Sequence, residues 1–462
     1  MRILLVIYDN ASYMTWFPQG PAYIAAVLRQ AGHEITIYNQ DVHHWPDDHL
    51  RKYLDQNHFD VVGIGVIAGY YQYRKLLGLS KAINNSNNRP YYILGGFGPS
   101  ADPAYFLEVT QADAVVCGEG EQTTTELIDA LANGRSLIGI AGTVVRDGDN
   151  LITNTERPLI EEIDSLPHPA YDLFPIEYYR LLRFSNCNSS DFVMPVLSGR
   201  GCTFKCTFCY RMDKGFRGRS NESILEEIEW LQKNYGITYI AFSDELLMIS
   251  QERTVSISEA IIKSGLKFKW TCNGRLNYAK PEVLRTMKKA GCVFINYGIE
   301  AMDDLVLKKM KKGLKVDQIY PGIEATLAEG ISPGFNIIFG NIDDTKETLQ
   351  KGVDFLLKYD DGAQLRTIRP VTPYPGSPLY YTAIEQGKLK DCRDFYENKH
   401  TNSDLLSVNF TEMSDDEFHQ SLLEANSQLL DNYFDKQKQK AKETARELYL
   451  GKHSDFRGFR QT

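Results

Sequence analysis

Three cysteines crowd into the stretch "SGRGCTFKCTFCY" (198–210), where Cys202, Cys206 and Cys209 follow a C-x3-C-x2-C spacing. A structural zinc site usually takes four ligands, often as two C-x2-C pairs set well apart, and this chain has no second pair. The other five cysteines, Cys117, Cys187, Cys272, Cys292 and Cys392, are scattered, several of them in apolar strand-like runs. They read as small buried hydrophobes. Three thiolates in one tight loop suit a [4Fe–4S] cluster, for which thiolates are the normal ligands, with one iron left without a protein ligand. An open coordination position is what makes a metal centre catalytic rather than structural. Phe204, Phe208 and Tyr210 lie among the thiols and would keep water from such a cluster, which tunes its potential.

The elements that must hold this loop come in two series, as expected for 462 residues when a domain commonly takes about 100–200. "RILLVIY" (2–8), "EITIYN", "DVVGIGV", "YYILGG" and "DAVVCG" are apolar runs of the kind buried on both faces of a parallel sheet, with helical patterns such as "EQTTTELIDALANG" between them. A first helix is expected around Pro21, with Ile24, Val27 and Leu28 on one face and Gly32 as its stop. The alternation predicts a doubly wound α/β sheet over 1–145, whose ligands sit beyond the carboxyl ends of its strands. "RPLIEEIDSLPHPAYDLFP" (157–175) holds four prolines and no sustained period, so 146–190 reads as a linker or ordered crossing segment.

From 191 to 390 a second series offers six strands: "FVMPVLS", "ITYIAFS", "KFKWTCN", "CVFINYG", "GFNIIFG" and "AQLRTIR". Between the first two, Ile224, Leu225, Ile228 and Leu231 form an apolar stripe, with Ser220 or Asn221 as cap and Gly236 as stop. Six βα units predict an open, partial (β/α)6 barrel whose chemistry collects at the carboxyl ends of the strands, where the cysteine loop lies. Residues 391–462 read as a polar helical extension, a lid or a packing element.

The formal charge of −9 disfavours nucleic acid, because phosphate contacts need clustered Lys and Arg. The basic "KQKQKAKETAR" run is flanked by acids and reads as a solvated helix face. "MRILLVIYDN" lacks the form of a signal peptide, and no stretch approaches the roughly 18 apolar residues of a membrane span. A cytoplasmic protein with reduced thiols is the expectation.

With the cysteine spacing placed after the first strand of a six-unit series, the second half resembles the radical S-adenosylmethionine enzymes. The resemblance implies that Cys202, Cys206 and Cys209 hold the cluster, and that its free iron chelates the amine and carboxylate of S-adenosylmethionine. One electron then cleaves the sulfonium, releasing a 5′-deoxyadenosyl radical that abstracts hydrogen from a substrate. In "AFSDELL" the resemblance points to Asp244 and Glu245 near the positive end of the cosubstrate, against the plainer reading of a helix-capping acid. Arg275 in "WTCNGRL" would meet a carboxylate, or stand at the surface. Glu300 in "NYGIEAMDDLVLKKMKKG" would face the ribose or amine, and "NIIFG" would lie along the adenine. "TPYPGSPLY" (372–380) is a Pro-rich turn found in one branch of the family, which carries a cobalamin-binding domain ahead of the radical domain.

The first half resembles that Rossmann-like domain through "PQGPAYIAAVLRQAGHEITIYNQD", "LGGFGPSADP" and "DAVVCGEGEQTTTELIDAL", in order. Gly95, Gly96 and Gly98 at one strand end, and Gly118, Glu119 and Gly120 at the next, are candidate cofactor contacts, since glycine lets a bulky macrocycle approach the backbone. "DVHHWP" spaces Asp41 and His43 like a cobalt-ligating Asp-x-His-x-x-Gly loop, but Pro46 replaces the glycine and the stretch follows the second strand, so surface histidines are read there. Tyr70 or Tyr71 of "IAGYYQY" would neighbour the lower face of cobalt, or simply pack at a helix start.

The activity implied is methylation of an unactivated carbon, or phosphorus, of a small molecule, the substrate radical taking its methyl group from methylcobalamin. A non-methylating oxidative cyclisation or ring contraction with the same cofactors, and a non-catalytic cobalamin and cluster sensor, stay open. A flavodoxin or ferredoxin would supply electrons.

Overall fold

The computed structural model describes residues 1–11, 16–212 and 214–451, so the end of the expected helical extension, 452–462, lies outside the described residues. Two parallel sheets organise the chain. Strand β1 (Arg2–Ile7) is buried from Ile3 onward. Its Leu4 and Val6 enter one core while Ile3 and Leu5 enter another on the opposite face, which is why the run is continuously apolar. It joins β2 (Glu34–Asn39), β3 (Val61–Gly65), β4 (Tyr91–Gly95), β5 (Ala114–Val116), β6 (Thr143–Asp147) and β7 (Asn150–Thr153). The strand order is β2-β1-β3-β4-β5-β6-β7. The first five strands run parallel, and β6 and β7 complete the edge as an antiparallel hairpin. The sheet therefore extends to Thr153, beyond the boundary expected at 145: β6 buries only Thr143, Val144 and Val145, and β7 buries no residue fully, so the hairpin lacks a long apolar run. Strand order reverses between β1 and β3, and the crevice beyond their carboxyl ends is the ligand position of such sheets.

The helix Gln19–Gln30 buries Ala22, Tyr23, Ala25, Ala26 and Leu28, leaving Ile24 and Val27 half-buried. It packs against β1 and the helix Gly120–Ala132, a close approach that favours the alanine face over the expected Ile24–Val27–Leu28 face. The Pro-rich segment is an ordered crossing. Phe17 meets the rings of Tyr171, Phe174 and Tyr179 at 5.1, 5.2 and 5.3 Å, and Ile7, Phe17 and Ala22 share a buried cluster with the second sheet. The two halves are thus packed together through apolar contact.

The second sheet contains β8 (Val193–Val196), then, after the small β9 (Gly199–Arg200) and β10 (Arg217–Gly218) hairpin, β11 (Tyr239–Phe242), β12 (Lys269–Gly274), β13 (Cys292–Glu300), β14 (Ser332–Phe339) and β15 (Arg369–Pro370). Its order, β15-β14-β13-β12-β11-β8, places successive strands side by side. All pairs are parallel, and β8 and β15 remain open edges, giving a half-barrel. The sixth strand is only two residues long. Where a longer ladder was expected, Asn426 of the C-terminal helix bonds both the amide (2.8 Å) and the carbonyl (3.0 Å) of Ile368.

Helix Asn221–Tyr235 starts at Ser220, whose hydroxyl accepts from the Ser223 amide at 3.1 Å, and stops at Gly236 in the left-handed region. The last helix, Asp415–Gly451, buries Phe418, Leu422, Ala425 and Leu429, with Phe418 stacked on Phe339.

Candidate functional site

The cysteine loop leaves the carboxyl end of β8 and is closed at its base by β9 and β10, with Arg200 opposite Arg217. Three bonds fix its course: Thr207 donates to the Met310 carbonyl at 2.9 Å, the Leu379 amide donates to the Thr207 carbonyl at 2.8 Å, and Arg211 donates to the Phe204 carbonyl at 2.9 Å. The loop therefore rests on the segment after β13 and on the Pro-rich turn 372–380. Its Tyr210 meets Phe97 of the first domain edge-on at 6.1 Å.

Cys206 is buried, with Cys202 and Cys209 half-buried. The Cys206 thiol is pushed down to about 6, first by the hydrogen bond from Cys209, then, against the burial that raises it, by the Lys312 and Arg275 cations. The same bond and burial push Cys209 up, and burial raises Cys202. Cations beside a thiol favour the thiolate, the ligating form. No three His, Cys, Asp or Glu side chains among the described residues converge on a single ion position. A cubane differs from a single ion in taking its thiolates at separate corners, and this donor set suits it.

Around the loop stand buried charges. Asp244, beyond β11, accepts from the Ser198 amide at 2.7 Å and from its hydroxyl, and burial raises it to about 6. Glu245 is exposed and accepts from the Gly201 amide, next to Cys202, at 3.0 Å. Arg275 lies 3.5 Å over the Phe204 ring and donates to the Lys312 carbonyl. Glu300 ends β13 at φ +72, a conformation costly for a residue with a Cβ, and its carboxylate meets Lys312 Nζ at 2.8 Å. Arg275, Glu300 and Lys312 are thus gathered beside the cysteines. Lys312 escaped sequence reading: its only signal is a place within the lysine run after "GIE", and burial is what separates it from its neighbours.

The glycine-lined ends of the first sheet differ among themselves. Gly96, at φ +92, brings the chain so close to β3 that a Cβ would lie 2.5 Å from the Val66 carbonyl oxygen. Gly95 accepts from the Val66 amide at 2.9 Å, and Gly98 donates to the Val66 carbonyl at 3.2 Å. Gly118, at φ +76, faces open space, while Gly120 lies against Ile24. Tyr70 and Tyr71 begin the helix beyond β3, and Ile67 beside them is 63% exposed. An uncovered apolar side chain at the switch point beyond β3 and an open glycine beyond β5, on the same sheet edge, fit a large, flat, partly apolar ligand such as a corrin. His43 is exposed and stacks on Trp45 at 4.2 Å.

Glu119 joins the two sites. Its carboxylate accepts from Arg200 at 2.7 Å, from Arg217 at 2.8 Å and from the Ile160 amide at 2.7 Å, while Arg200 also grips Glu121 at 2.5 Å. Burial alone would raise Glu119, but the bonds from Arg217, Ile160 and Arg200 hold it below the usual carboxylate range. The loop after β5 is thereby tied to the base of the cysteine loop. Arg200, Arg217 and Glu121 were not foreseen, since Arg200 and Glu119 stand 81 residues apart.

A cysteine loop at the carboxyl ends of a half-barrel, set against a doubly wound sheet with an open glycine crevice, defines a two-cofactor enzyme. The radical SAM superfamily model matches residues 196–356 and the B12 binding domain model residues 6–128. An uncharacterized methyltransferase of Pyrococcus horikoshii, PH0819, is 32% identical over 402 residues, 84% of each chain. The anaerobic magnesium-protoporphyrin IX monomethyl ester cyclase of Rubrivivax gelatinosus is 27% identical over 393 residues, 82% of this chain and 68% of that one. In fold, the chain is similar to the radical S-adenosylmethionine methyltransferase TsrM from Kitasatospora setae, with a TM-score of 0.73, 17% identity, and coverage of 93% of this chain and 88% of that one. This chain belongs to the cobalamin-dependent family of radical SAM enzymes. Among the described residues no helix is long and apolar enough to cross a membrane.

Proposed function

We propose that the chain is a methyltransferase that methylates an unactivated carbon, or less commonly phosphorus, of a small molecule. The observation that supports this reading is the Glu119–Arg200–Arg217 network, which ties the loop after β5 to the base of the cysteine loop, as two cofactors acting on one substrate require. When bound, the cluster supplies the electron that cleaves S-adenosylmethionine and the corrin supplies the methyl group. Cys202, Cys206 and Cys209 would hold the cluster, with no fourth cysteine in the loop. Lys312 and Arg275 offer cations to the cosubstrate's carboxylate, Glu300 an acceptor to its amine, and Asp244 and Glu245 negative charge near its sulfonium. Gly118 leaves room for the corrin, with Ile67, Tyr70 and Tyr71 beneath it. The chain's own contribution is orientation and exclusion of water.

The relative named as a magnesium-protoporphyrin IX monomethyl ester cyclase supports a second reading, radical chemistry without methyl transfer. Anaerobic turnover with deuteromethyl-labelled S-adenosylmethionine separates the two. Label in the product supports methylation; 5′-deoxyadenosine with an unlabelled product supports cyclisation or rearrangement.

A further inference from the structure

The segment Leu307–Lys315 carries five lysines and no carboxylate, in a chain of formal charge −9. It wraps the cysteine loop: Thr207 donates to its Met310 carbonyl, and a Cβ on Gly313 would lie 3.9 Å from the Phe204 ring. Its lysines divide by environment. Lys312 is buried on Glu300, and Lys309 pairs with Asp343 at 3.2 Å. Lys308, Lys311 and Lys315 are exposed and form no ion pair with any described residue. The cysteine loop adds Lys205 and Lys214, exposed and equally unpaired among the described residues. At the rim stand the exposed Asp304, which accepts from the Val316 amide, and Asp317. Leu305, 53% exposed, adds an apolar contact point.

Exposed charges act weakly on a buried centre because solvent screens them; the buried Lys312 and Arg275 suffice for the thiols. Five uncompensated cations on an otherwise acidic molecule act on what approaches from outside, raising encounter rates with an anionic partner. The position, over the cysteine loop and its exposed Thr203 and Lys205, selects a partner that must come near the cluster.

We propose that this lysine face docks an acidic one-electron carrier protein, flavin- or iron–sulfur-bearing, which reduces the cluster. The proposal rests on the cluster reading above. One electron leaves the carrier and enters the cluster; the carrier is oxidised by one equivalent and the cluster reduced by one.

The test uses anaerobically reconstituted full-length protein, native and Lys308→Glu/Lys311→Glu/Lys315→Glu, and stopped-flow reduction by photoreduced flavodoxin at low and high salt. Photoreduced 5-deazariboflavin, small and uncharged, serves as control. The flavodoxin rate is expected to fall about tenfold or more in the triple variant, and in native protein at high salt, while the deazariboflavin rate stays unchanged. A Lys→Gln triple, which removes the positive charges without reversing them, should lose a smaller share and guards against misfolding of the glutamate variant. An acidic ferredoxin in place of flavodoxin distinguishes the two carrier types, and a patch-dependent rate with either supports docking here. An intact cluster reduced equally fast in native and variant protein by both carriers overturns the docking proposal alone. Native protein that retains no iron defeats the cluster reading itself.

Discussion

The loops at the carboxyl ends of the two sheets touch each other but are equipped in opposite ways. At the first sheet, Gly95, Gly96 and Gly98 let the backbone pack closely, Gly118 faces open space, and the main charge, Glu119, is spent on the partner domain. At the second sheet, three thiols, two buried acids and two buried cations are packed within reach of one another. The difference follows from the ligands each suits. A corrin is large and pre-assembled, so the protein must mainly make room and position it. A cluster and a charged cosubstrate are small and must be held by specific atoms. Shape is given by absent side chains, charge by present ones.

This contrast can be broken first at the thiols. Cys202→Ala/Cys206→Ala/Cys209→Ala should abolish iron binding and 5′-deoxyadenosine formation while leaving cobalamin retention intact, read by iron analysis, product chromatography and the corrin absorption spectrum. Loss of corrin along with iron would show that the two ends are not separable.

The link between them comes next. Glu119→Gln leaves Arg200 and Arg217 facing a neutral amide in a buried place and should cost about 3–5 kcal/mol in urea unfolding. Arg200→Gln should cost at least as much, because it takes one donor from the buried Glu119 and the ion pair from the buried Glu121.

Acid sharpens the comparison. His400 is fully buried in an aromatic box of Phe395, Tyr374 and Tyr70, with neither ring nitrogen bonded, and burial lowers it to about 4. Between pH 6.5 and 4 the unfolded chain takes the proton that the native state refuses, so stability falls as pH drops, by about 3 kcal/mol from this residue. His400→Phe should lack that loss. Asp244 runs the other way: raised to about 6 by burial, it binds its proton first in the native state, so its share of stability grows by about 3 kcal/mol as pH falls from 6 to below 4. Asp244→Asn should lack that gain. Unfolding curves for both variants across this window check the opposite signs.

The smallest effect is expected at Gly118. Gly118→Ala at φ +76 should cost about 1–2 kcal/mol of stability and weaken cobalamin binding, with iron content unchanged.

Much of this architecture was legible because burial writes itself into sequence. Strands β1, β3, β4 and β5 are covered on both faces and so read as unbroken apolar runs. Ser220 and Gly236 bounded a helix by local rules of capping, and the spacing of three thiols in one loop marked it as the candidate cluster site. The hairpin β6–β7, half polar, did not announce itself, and "AQLRTIR" promised more strand than forms, because a distant helix supplies the bonds of Ile368.

What the amino-acid sequence determined by itself were the properties that neighbours along the chain decide: apolar periodicity, caps, the cysteine spacing. What only the tertiary structure decided were the pairings between distant segments. Arg200 meets Glu119 because the two sheets pack across Phe17 and the Pro-rich crossing. Lys312 alone of its run is buried, because Glu300 turns inward at the end of β13. Whether a charge is paired in the interior or left to solvent depends on where folding brings its partner, and no local pattern encodes that distance.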